Sequence, residues 1–408
     1  MIMTEYKDSE VGRIPADWEV ASLADIGEVK MCKRVLKEQT TENGEIPFYK
    51  ISTFGKKADA YIATNLYLNY KEKFSYPKRG DVLLSAAGTI GRTVIFDGAP
   101  SYFQDSNIVW LDNDERKVLN SFLYYVYKEI KWVTESGTIP RIYNGTVRSI
   151  KFAYPIDKNE QNAIANSLSS IDSLISSLDE LIEKKRMIKE GLMLQLLTGK
   201  KRLPGFSGDW KEMTLGECAM IKARIGWQGL TTAEYLDSGN YFLITGTEIE
   251  NGKVSWNRCL YVSKERFLQD KNIQICQGDV LITKDGTIGK VAYLDTIPGN
   301  GTLNSGVFVV RSKDNSLLQE YMAYVFLSRY FNDFIDKIVA GSTITHLYQK
   351  DIINFAFPIP PSIEEQKAIS QIITAVDNEI QTIEYTRNKY VGLKQGMMHQ
   401  LLTGKTRL

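Results

Sequence analysis

The sequence predicts an α+β fold in which two mixed α/β domains follow one another in tandem. Each domain is closed by a long helix, and the two helices pair as a coiled coil. The segment GLMLQLLTGKKRL at 191–203 recurs as GMMHQLLTGKTRL at 396–408, with ten of thirteen positions identical. GDVLLSAAGTIG at 80–91 recurs as GDVLITKDGTIG at 278–289, with eight of twelve identical. Matching blocks in a fixed order indicate duplication of a whole domain.

The two halves share one order of segments, which sets the predicted boundaries. Each half begins near a tryptophan, Trp18 or Trp210, continues through a mixed region and ends in a helical run. The segment after the first helix, KRLPGFSGDW, is similar to VGRIPADW near the start of the chain. The repeat is therefore nearly cyclic, and we expect the chain ends to lie close together and the molecule to have a pseudo-twofold axis. The predicted segments are 1–157 for the first mixed domain, 158–200 for the first helix, 201–361 for the second mixed domain and 362–408 for the second helix.

Both mixed regions combine strand and helix patterns. Short β-type runs such as DVLL at 81–84 and VFVV at 307–310 are bounded by Gly, Asn and Asp, which favour turns. Helical patterns occupy equivalent places at 118–131 and 317–330. The two GTIG segments are too short for a dinucleotide-binding loop, so they predict a tight hairpin turn.

The two closing runs carry apolar residues at alternating spacings of four and three, which is typical of a coiled-coil seam. A helix of about 40 residues would be roughly 60 Å long. We expect the two helices to pair with each other; the alternative is that each seam packs only on its own domain. The predicted pairing residues are Ile164, Leu168, Ile171, Ile175 and Leu178 in the first helix and Ile369, Ile373, Val376, Ile380 and Ile383 in the second.

Composition places the chain among soluble globular proteins. Of its 408 residues, 43% are hydrophobic and 24% charged, and no apolar run approaches the roughly 18 residues that span a bilayer. The N-terminal segment lacks the apolar core of a signal peptide, so we expect a cytoplasmic protein without a membrane partner. Four cysteines without CxxC spacing predict free thiols and no zinc site. The net charge of +1 does not by itself indicate a nucleic-acid partner.

Motifs for catalysis are weak. The two histidines, His346 and His399, have no partner at metal-ligand or triad spacing, and 404–406 lacks the earlier glycine of a phosphate-binding loop. Asp279 with Lys284 suggests a stand-alone nuclease only faintly, because the matched first-half residues include an alanine, Ala86. We therefore predict no catalytic residue, no metal site and no cofactor in this chain.

Several short motifs occur in order in both halves. They are the GDVL and GTIG blocks, FAYPI at 152–156 with FAFPI at 355–359, the helix openings NEQNAI at 159–164 and EEQKAI at 364–369, and the terminal QLLTGK. In this combination the chain resembles the specificity (S) subunits of type I restriction-modification systems over its whole length.

That resemblance implies a non-catalytic subunit that binds double-stranded DNA. Each mixed region would be a target recognition domain that reads one half of a bipartite, asymmetric site in the major groove. The paired helices would run antiparallel, set the spacing and dock two methyltransferase (M) subunits for adenine N6 methylation, with restriction/translocase (R) subunits in the full complex. S-adenosylmethionine, ATP and Mg would belong to those partner subunits.

DNA-binding residues are expected where the two copies differ beside shared blocks. Arg, Asn and Gln can make bidentate contacts with base edges, and other basic residues contact phosphate. The candidate base readers are Arg141, Asn144 and Arg148 in the first half and Thr345, His346, Gln349 and Lys350 in the second. The candidate phosphate contacts are Lys33, Arg34, Lys56, Lys57, Arg224, Lys253 and Lys284.

The alternative function is a duplicated coiled-coil protein-interaction scaffold that does not bind DNA. The nearly neutral charge favours it. DNA binding through phosphate contacts would weaken steeply with salt, so the salt response separates the two hypotheses.

Overall fold

The chain divides into two compact units. The computed structural model describes residues 5–132, 141–340 and 346–408. One unit comprises Met1–Asp179 and Thr386–Leu408, and the other comprises Glu180–Tyr385. Each unit therefore combines one mixed region with the first part of its own long helix and the last part of the other half's helix.

The first unit is built on a four-stranded antiparallel sheet with the order β4-β11-β8-β9. A second sheet has the order β10-β6-β7-β5, and β3 pairs with β12. The strands are β1 Tyr6–Ser9, β2 Gly12–Pro15, β3 Trp18–Ser22, β4 Gly27–Met31, β5 Thr40–Thr41, β6 Ile46–Tyr49, β7 Tyr61–Ile62, β8 Val82–Ser85, β9 Thr93–Ile95, β10 Tyr102–Phe103, β11 Ile108–Asn113 and β12 Lys151–Pro155. The helices are α1 Thr64–Lys73, α2 Asn120–Glu129, α3 Asn144–Ser149 and α4 Lys158–Leu196, which continues into the second unit.

The second unit repeats this plan. Its main sheet has the antiparallel order β14-β22-β19-β20, its smaller sheet the order β18-β15-β21, and β13 pairs with β23. The strands are β13 Lys211–Thr214, β14 Ala219–Ala223, β15 Phe242–Ile244, β16 Ile249–Glu250, β17 Lys253–Val254, β18 Leu260–Tyr261, β19 Val280–Thr283, β20 Val291–Tyr293, β21 Gly301–Leu303, β22 Val307–Ser312 and β23 Ala356–Ile359. The helices are α5 Leu215–Cys218, α6 Lys264–Leu268, α7 Gln319–Leu327, α8 Arg329–Ala340, α9 Gln349–Ile352 and α10 Ile363–Leu402, which continues into the first unit.

Within each unit the segments of α4 and α10 run antiparallel. In the first unit Asp172 pairs with Lys394 at 2.5 Å and Asp179 with Arg387 at 2.9 Å, so partners descend along one helix as they ascend the other. In the second unit Lys185 pairs with Glu379 at 2.7 Å. The predicted antiparallel pairing is confirmed.

The seam residues differ in burial along the helices. Ile164 and Leu168 are fully buried in the core of the first unit, together with Met398 of α10. Ile369 and Ile373 are buried in the same way in the second unit. Ile380 is also buried, whereas Ile171, Ile175, Leu178, Val376 and Ile383 are half-buried. The first turns of each helix thus pack on their own domain, and the middle turns form ion pairs with the other helix. The last turns, which include Leu196 and Leu401, pack in the core of the unit that they enter.

A buried glutamine fixes the start of each long helix. The side chain of Gln161 accepts a hydrogen bond from the Leu119 amide at 2.8 Å and donates to the Pro155 carbonyl at 2.8 Å. Gln366 makes the same two bonds, with the Leu318 amide at 2.7 Å and the Pro360 carbonyl at 3.1 Å. These bonds satisfy backbone groups that burial would otherwise leave without partners.

The two chain ends meet inside the first unit, as predicted. The Arg407 guanidinium bonds the Asp17 carboxylate at 2.7 and 2.9 Å and the buried Glu160 carboxylate at 2.7 Å. These carboxylates raise the pKa of Arg407, with Glu160 the larger cause. The Tyr6 hydroxyl also donates to the Gly404 carbonyl at 3.1 Å.

Candidate nucleic-acid interface

The two GTIG segments form matched hairpin tips. They connect β8 to β9 and β19 to β20, which pair antiparallel. In one tip the Ser85 hydroxyl donates to the Thr89 carbonyl at 2.6 Å, and in the other the Thr283 hydroxyl donates to the Thr287 carbonyl at 2.5 Å. The predicted tight hairpin is confirmed in both units.

Each hairpin tip holds the segment that was predicted to read bases. The Ile142 amide donates to the Ala86 carbonyl at 2.9 Å, and the Leu347 amide donates to the Lys284 carbonyl at 2.8 Å. A β-bridge also joins Ala87 to Arg141, and a matching one joins Asp285 to His346. We call each combination a reading surface. It comprises 86–91 with 141–148 in the first unit and 284–289 with 346–350 in the second.

Buried anchors hold each reading surface in place while the neighbouring side chains point outward. Ile142 and Val147 anchor the first at 5% and 2% exposure, and Leu347 anchors the second at 1%. The exposed side chains are Arg141, Tyr143, Asn144 and Arg148 in the first unit and His346, Tyr348, Gln349 and Lys350 in the second. These residues are not required for the core and are available to a ligand.

The residues at the first position of each surface, Arg141 and His346, are held by different partners. The Arg141 guanidinium donates to the Asn107 side-chain oxygen at 3.1 Å. The His346 Nδ1 atom instead bonds the Asp285 carboxylate. The reading surfaces thus share a backbone and differ in hydrogen-bonding groups.

The four cations predicted to contact phosphate in the first unit are all exposed. Lys57 is exposed, and Lys56 donates its amide to the Thr53 carbonyl at 2.9 Å. Lys33 lies over the Phe74 ring at 5.1 Å, and Arg34 pairs with Asp105 at 2.6 Å. The Arg34 pair would have to loosen for its charge to reach a phosphate.

The predicted cations of the second unit have different surroundings. Lys253 is exposed and lies 3.8 Å from Asp295, and half-buried Lys284 lies over the Phe308 ring at 5.7 Å. Gln349 donates to the Ile221 carbonyl at 3.4 Å, and Lys350 lies over the Tyr348 ring at 5.5 Å. The predicted reader Thr345 lies outside the described residues.

The prediction that Arg224 contacts phosphate is wrong. Its side chain is 3% exposed, and its guanidinium donates to the Leu303 carbonyl at 2.9 Å and the Thr302 hydroxyl at 3.1 Å. Burial lowers the pKa of this guanidinium. Arg224 therefore holds the smaller sheet in place, because its donors are already satisfied inside the unit.

Sequence reasoning missed four residues: two tyrosines of the reading surfaces and the two residues that hold Arg141 and His346. Tyr143 and Tyr348 are 55% and 47% exposed and precede the short helices α3 and α9 at equivalent places. The sequence did contain a signal for the tyrosines, because RIY at 141–143 and HLY at 346–348 end in the same residue although their first two residues differ. Asn107 and Asp285 gave no such signal, since they are distant in sequence from the residues that they hold.

Two further features were searched for in the described part of the chain. It contains no cluster of three or more His, Cys, Asp or Glu side chains that could hold a metal ion. None of its helices combines the length and the apolar character needed to cross a membrane.

Comparison with known proteins identifies the family. The model of the type I restriction modification DNA specificity domain matches residues 15–185 and 207–391. The chain therefore belongs to this family and is a DNA specificity subunit. Specificity subunits are non-catalytic, and catalysis belongs to other subunits of the type I systems.

Relatives occur in bacteria and archaea. A putative type I restriction enzyme specificity subunit of Haemophilus influenzae is 51% identical over 199 residues, which are 48% of this chain and 49% of that protein. The chain thus spans about half the length of that relative. The putative MjaX specificity subunit of Methanocaldococcus jannaschii is 25% identical over 426 residues, covering 99% of this chain and 97% of that protein.

Solved structures share the fold. The S subunit of a type I system from M. genitalium matches with a TM-score of 0.61 and 19% identity, over 94% of this chain and 96% of that one. A chain from a study of complex assembly and conformational transition of the type I R-M system matches with a TM-score of 0.53 and 15% identity, over 96% and 99%. These structures therefore confirm the predicted fold class of two tandem mixed domains, each followed by a long helix.

Proposed function

We propose that each unit reads one half of a bipartite, asymmetric site in double-stranded DNA, with its reading surface in the major groove. The observation that carries this proposal is the matched docking of two different segments on two similar hairpin tips, at Ala86 and at Lys284. A protein that reads two unlike half-sites needs such a common frame with unlike side chains.

The exposed residues divide into base readers and phosphate contacts. Arg141 and His346 lead the two surfaces, and Asn144 and Gln349 add amides that suit adenine. The exposed cations that would neutralise phosphates are Lys33, Lys56, Lys57 and Lys253. Arg148 and Lys350, first predicted as base readers, are proposed here as further phosphate contacts beside the readers. The phosphate contacts would supply affinity and the readers sequence preference.

The long helices are proposed to dock the M subunits and to set the spacing between half-sites. On the part of α4 that belongs to the second unit, four large apolar side chains remain exposed: Leu181 at 38%, Met187 at 65%, Ile188 at 43% and Leu194 at 48%. The residue of α10 equivalent to Ile188 is Leu393, which is 49% exposed in the first unit. Such groups of exposed apolar residues on one helix favour a protein partner.

Docking can be tested apart from DNA reading. Leu181→Glu with Ile188→Glu should abolish copurification of an M subunit, while Lys264→Glu, an exposed change in the same unit but not on α4, should not. Retained copurification of the double variant would contradict this docking surface.

S-adenosylmethionine, ATP and Mg are assigned by this proposal to the M and R subunits. The present chain would contribute recognition and geometry. Equilibrium dialysis of the chain with S-adenosylmethionine, compared with the M subunit alone, tests that assignment.

The decisive experiment is coexpression of the chain with its M subunit, followed by mapping of N6-methyladenine in the host DNA. We expect two short unlike half-sites separated by a fixed non-specific spacer. Insertion of one heptad into both long helices should lengthen the spacer by about three base pairs, because seven helical residues span roughly 10 Å. A contiguous palindromic site, or no new methylation with an active M subunit, would refute the proposal.

A second candidate, a protein-interaction scaffold without DNA binding, is favoured by the net charge of +1. The salt dependence of DNA binding by the complex separates the two. A decrease of about one order or more in affinity between 50 and 200 mM salt is expected if several phosphates are contacted. A flat response, or absence of binding, would favour the scaffold.

A further inference from the structure

Arg141 and His346 occupy equivalent places, but the side chain that bonds each of them comes from a different segment in the two units. In the first unit the hairpin residue is Ala87, and the partner Asn107 comes from the segment before β11. In the second unit the hairpin supplies Asp285, and the residue equivalent to Asn107 is Gly306. This equivalence follows from matched backbone bonds, Ala86 amide to Asn107 carbonyl and Lys284 amide to Gly306 carbonyl, both at 2.8 Å.

Because the partners differ, Arg141 can only donate further hydrogen bonds, whereas His346 can accept one. Asn107 accepts from one Nη atom of Arg141, and the guanidinium has only donors left to offer. Asp285 occupies the Nδ1 atom of His346, and a carboxylate can only accept there, so Nδ1 carries the proton. In a neutral imidazole the other nitrogen, Nε2, is then an acceptor.

We propose that Nε2 of His346 accepts a hydrogen bond from the exocyclic amino group of an adenine or cytosine in the second half-site, whereas Arg141 donates to a guanine in the first. This inference rests on the proposed function and specifies the chemistry of that same site. In the major groove the amino groups of adenine and cytosine are donors, and O6 and N7 of guanine are acceptors. Asp285 is a positioning residue that fixes the tautomer.

The surroundings of His346 leave it accessible for this role. Its side chain is 52% exposed, and that of Asp285 is 31% exposed. The Tyr348 ring lies beside the imidazole with centroids 6.1 Å apart, and the Lys350 ammonium lies over the Tyr348 ring. From the hairpin, the charged neighbours in sequence and space are Asp285 and Lys284.

The test pairs base analogues with side-chain variants in the complex of the full chain with its M subunit. In duplexes that carry the methylome-defined site, each adenine of the second half-site is replaced in turn by purine and each cytosine by 2-pyrimidinone, which lack the amino group. At one position we expect the parent complex to lose roughly 2- to 10-fold in affinity. His346→Ala should be insensitive to the same replacement. Replacement of guanine by 7-deazaguanine in the first half-site is the matched control, to which Arg141→Ala should be insensitive and His346→Ala should respond like the parent.

The positioning role of Asp285 has its own readout. Asp285→Asn offers both a donor and an acceptor to Nδ1, so either tautomer becomes possible, and the amino-group effect should shrink without loss of the folded structure.

Two results would overturn the inference. They are coupling of His346 to a 7-deazapurine replacement instead of an amino-group replacement, or no coupling of His346 to any replaced base while the parent complex still prefers its site. If the parent complex itself shows no preference for any duplex, the proposed function fails and this inference with it.

Discussion

The aspartate of the GDVL block is buried in both units, but the charged groups around it differ. In the second unit the Asp279 carboxylate is 4% exposed and receives Arg311 at 2.6 and 2.7 Å. In the first unit Asp81 is equally buried, and the strand register places Asp112 where the second unit has Arg311. Burial is the main cause that raises the pKa of Asp81. Two units with one backbone plan have thus diverged in the core as well as on the reading surface.

The largest expected effect on stability comes from replacing these two buried aspartates. Asp279→Asn leaves the half-buried Arg311 without its carboxylate and should lower the free energy of unfolding of the second unit by about 3 kcal/mol. Asp81→Asn removes a carboxylate with no guanidinium partner, so it should leave stability nearly unchanged or raise it. Hydrogen exchange of β19 and β8 measures the two units separately. Equal destabilisation by both substitutions would contradict the comparison.

The raised pKa of Asp81 gives the first unit a pH dependence. A folded-state pKa of Asp81 above its unfolded value means that the ionised form is disfavoured in the fold. This unfavourable contribution is fully present above the folded pKa and disappears as the pH falls through it toward the unfolded value near 3.9. Acidification should therefore relieve a cost in the first unit, and Asp81→Asn should abolish that change in the pH profile of β8 exchange.

The next effect concerns the reading surfaces. Arg141→Gln should reduce binding to the guanine-containing first half-site roughly 10-fold, because a bidentate contact is worth about 1–3 kcal/mol. The preference at the second half-site should be unchanged. Competition binding with duplexes altered in one half at a time measures both values. The matched variant His346→Gln should alter only the second half.

Sequence reasoning predicted the elements that depend on local pattern. Seam spacing predicted α4 and α10, and glycines at positive φ, such as Gly88 at 65° and Gly286 at 68°, marked the hairpin tips. It did not find that each compact unit includes part of the other half's helix, because periodicity alone does not show where contacts concentrate.

The candidate site was predicted less completely, since a side chain's role depends on distant neighbours. Arg224 looked like a phosphate contact, but Leu303 and Thr302 enclose it from nearly 80 residues away. Asp285 acts on His346 across 61 residues. Local sequence identified the exposed segments, and only tertiary contacts showed which cation was structural and which partner fixed a reader.

A smaller effect is expected in the pairing of α4 with α10, where two equivalent ion pairs have different neighbouring side chains. Asp172 bonds Lys394 and also receives the Tyr125 hydroxyl at 3.0 Å, with Lys128 at 3.9 Å. Its equivalent Asp377 pairs with Lys189 at 2.5 Å and also receives a tyrosine hydroxyl, that of Tyr324 at 3.4 Å, so the two sites differ in Lys128.

Loss of the lysine should therefore be felt more in the second unit. We expect Lys189→Met to lower the free energy of unfolding by about 0.5–1 kcal/mol and Lys394→Met by less, because Lys128 still faces Asp172. Thermal unfolding at low and high salt, with an exposed control such as Lys184→Met, measures the difference. A larger loss for Lys394→Met would show that Lys128 does not compensate.

The smallest effect tests what the two reading surfaces have in common. Tyr143 and Tyr348 occupy equivalent exposed places, although the residues beside them differ, so we expect both to make a contact that does not depend on sequence, from hydroxyl to phosphate. Tyr143→Phe and Tyr348→Phe should each weaken binding about 2- to 5-fold on specific and random duplexes alike. The salt slope should not change, because no charge is removed, whereas Lys350→Gln should reduce it by about one. A tyrosine variant that changes base preference in its own half-site would contradict this prediction. The shared tyrosine would then read bases, and base reading would not be confined to the residues that differ between the two units.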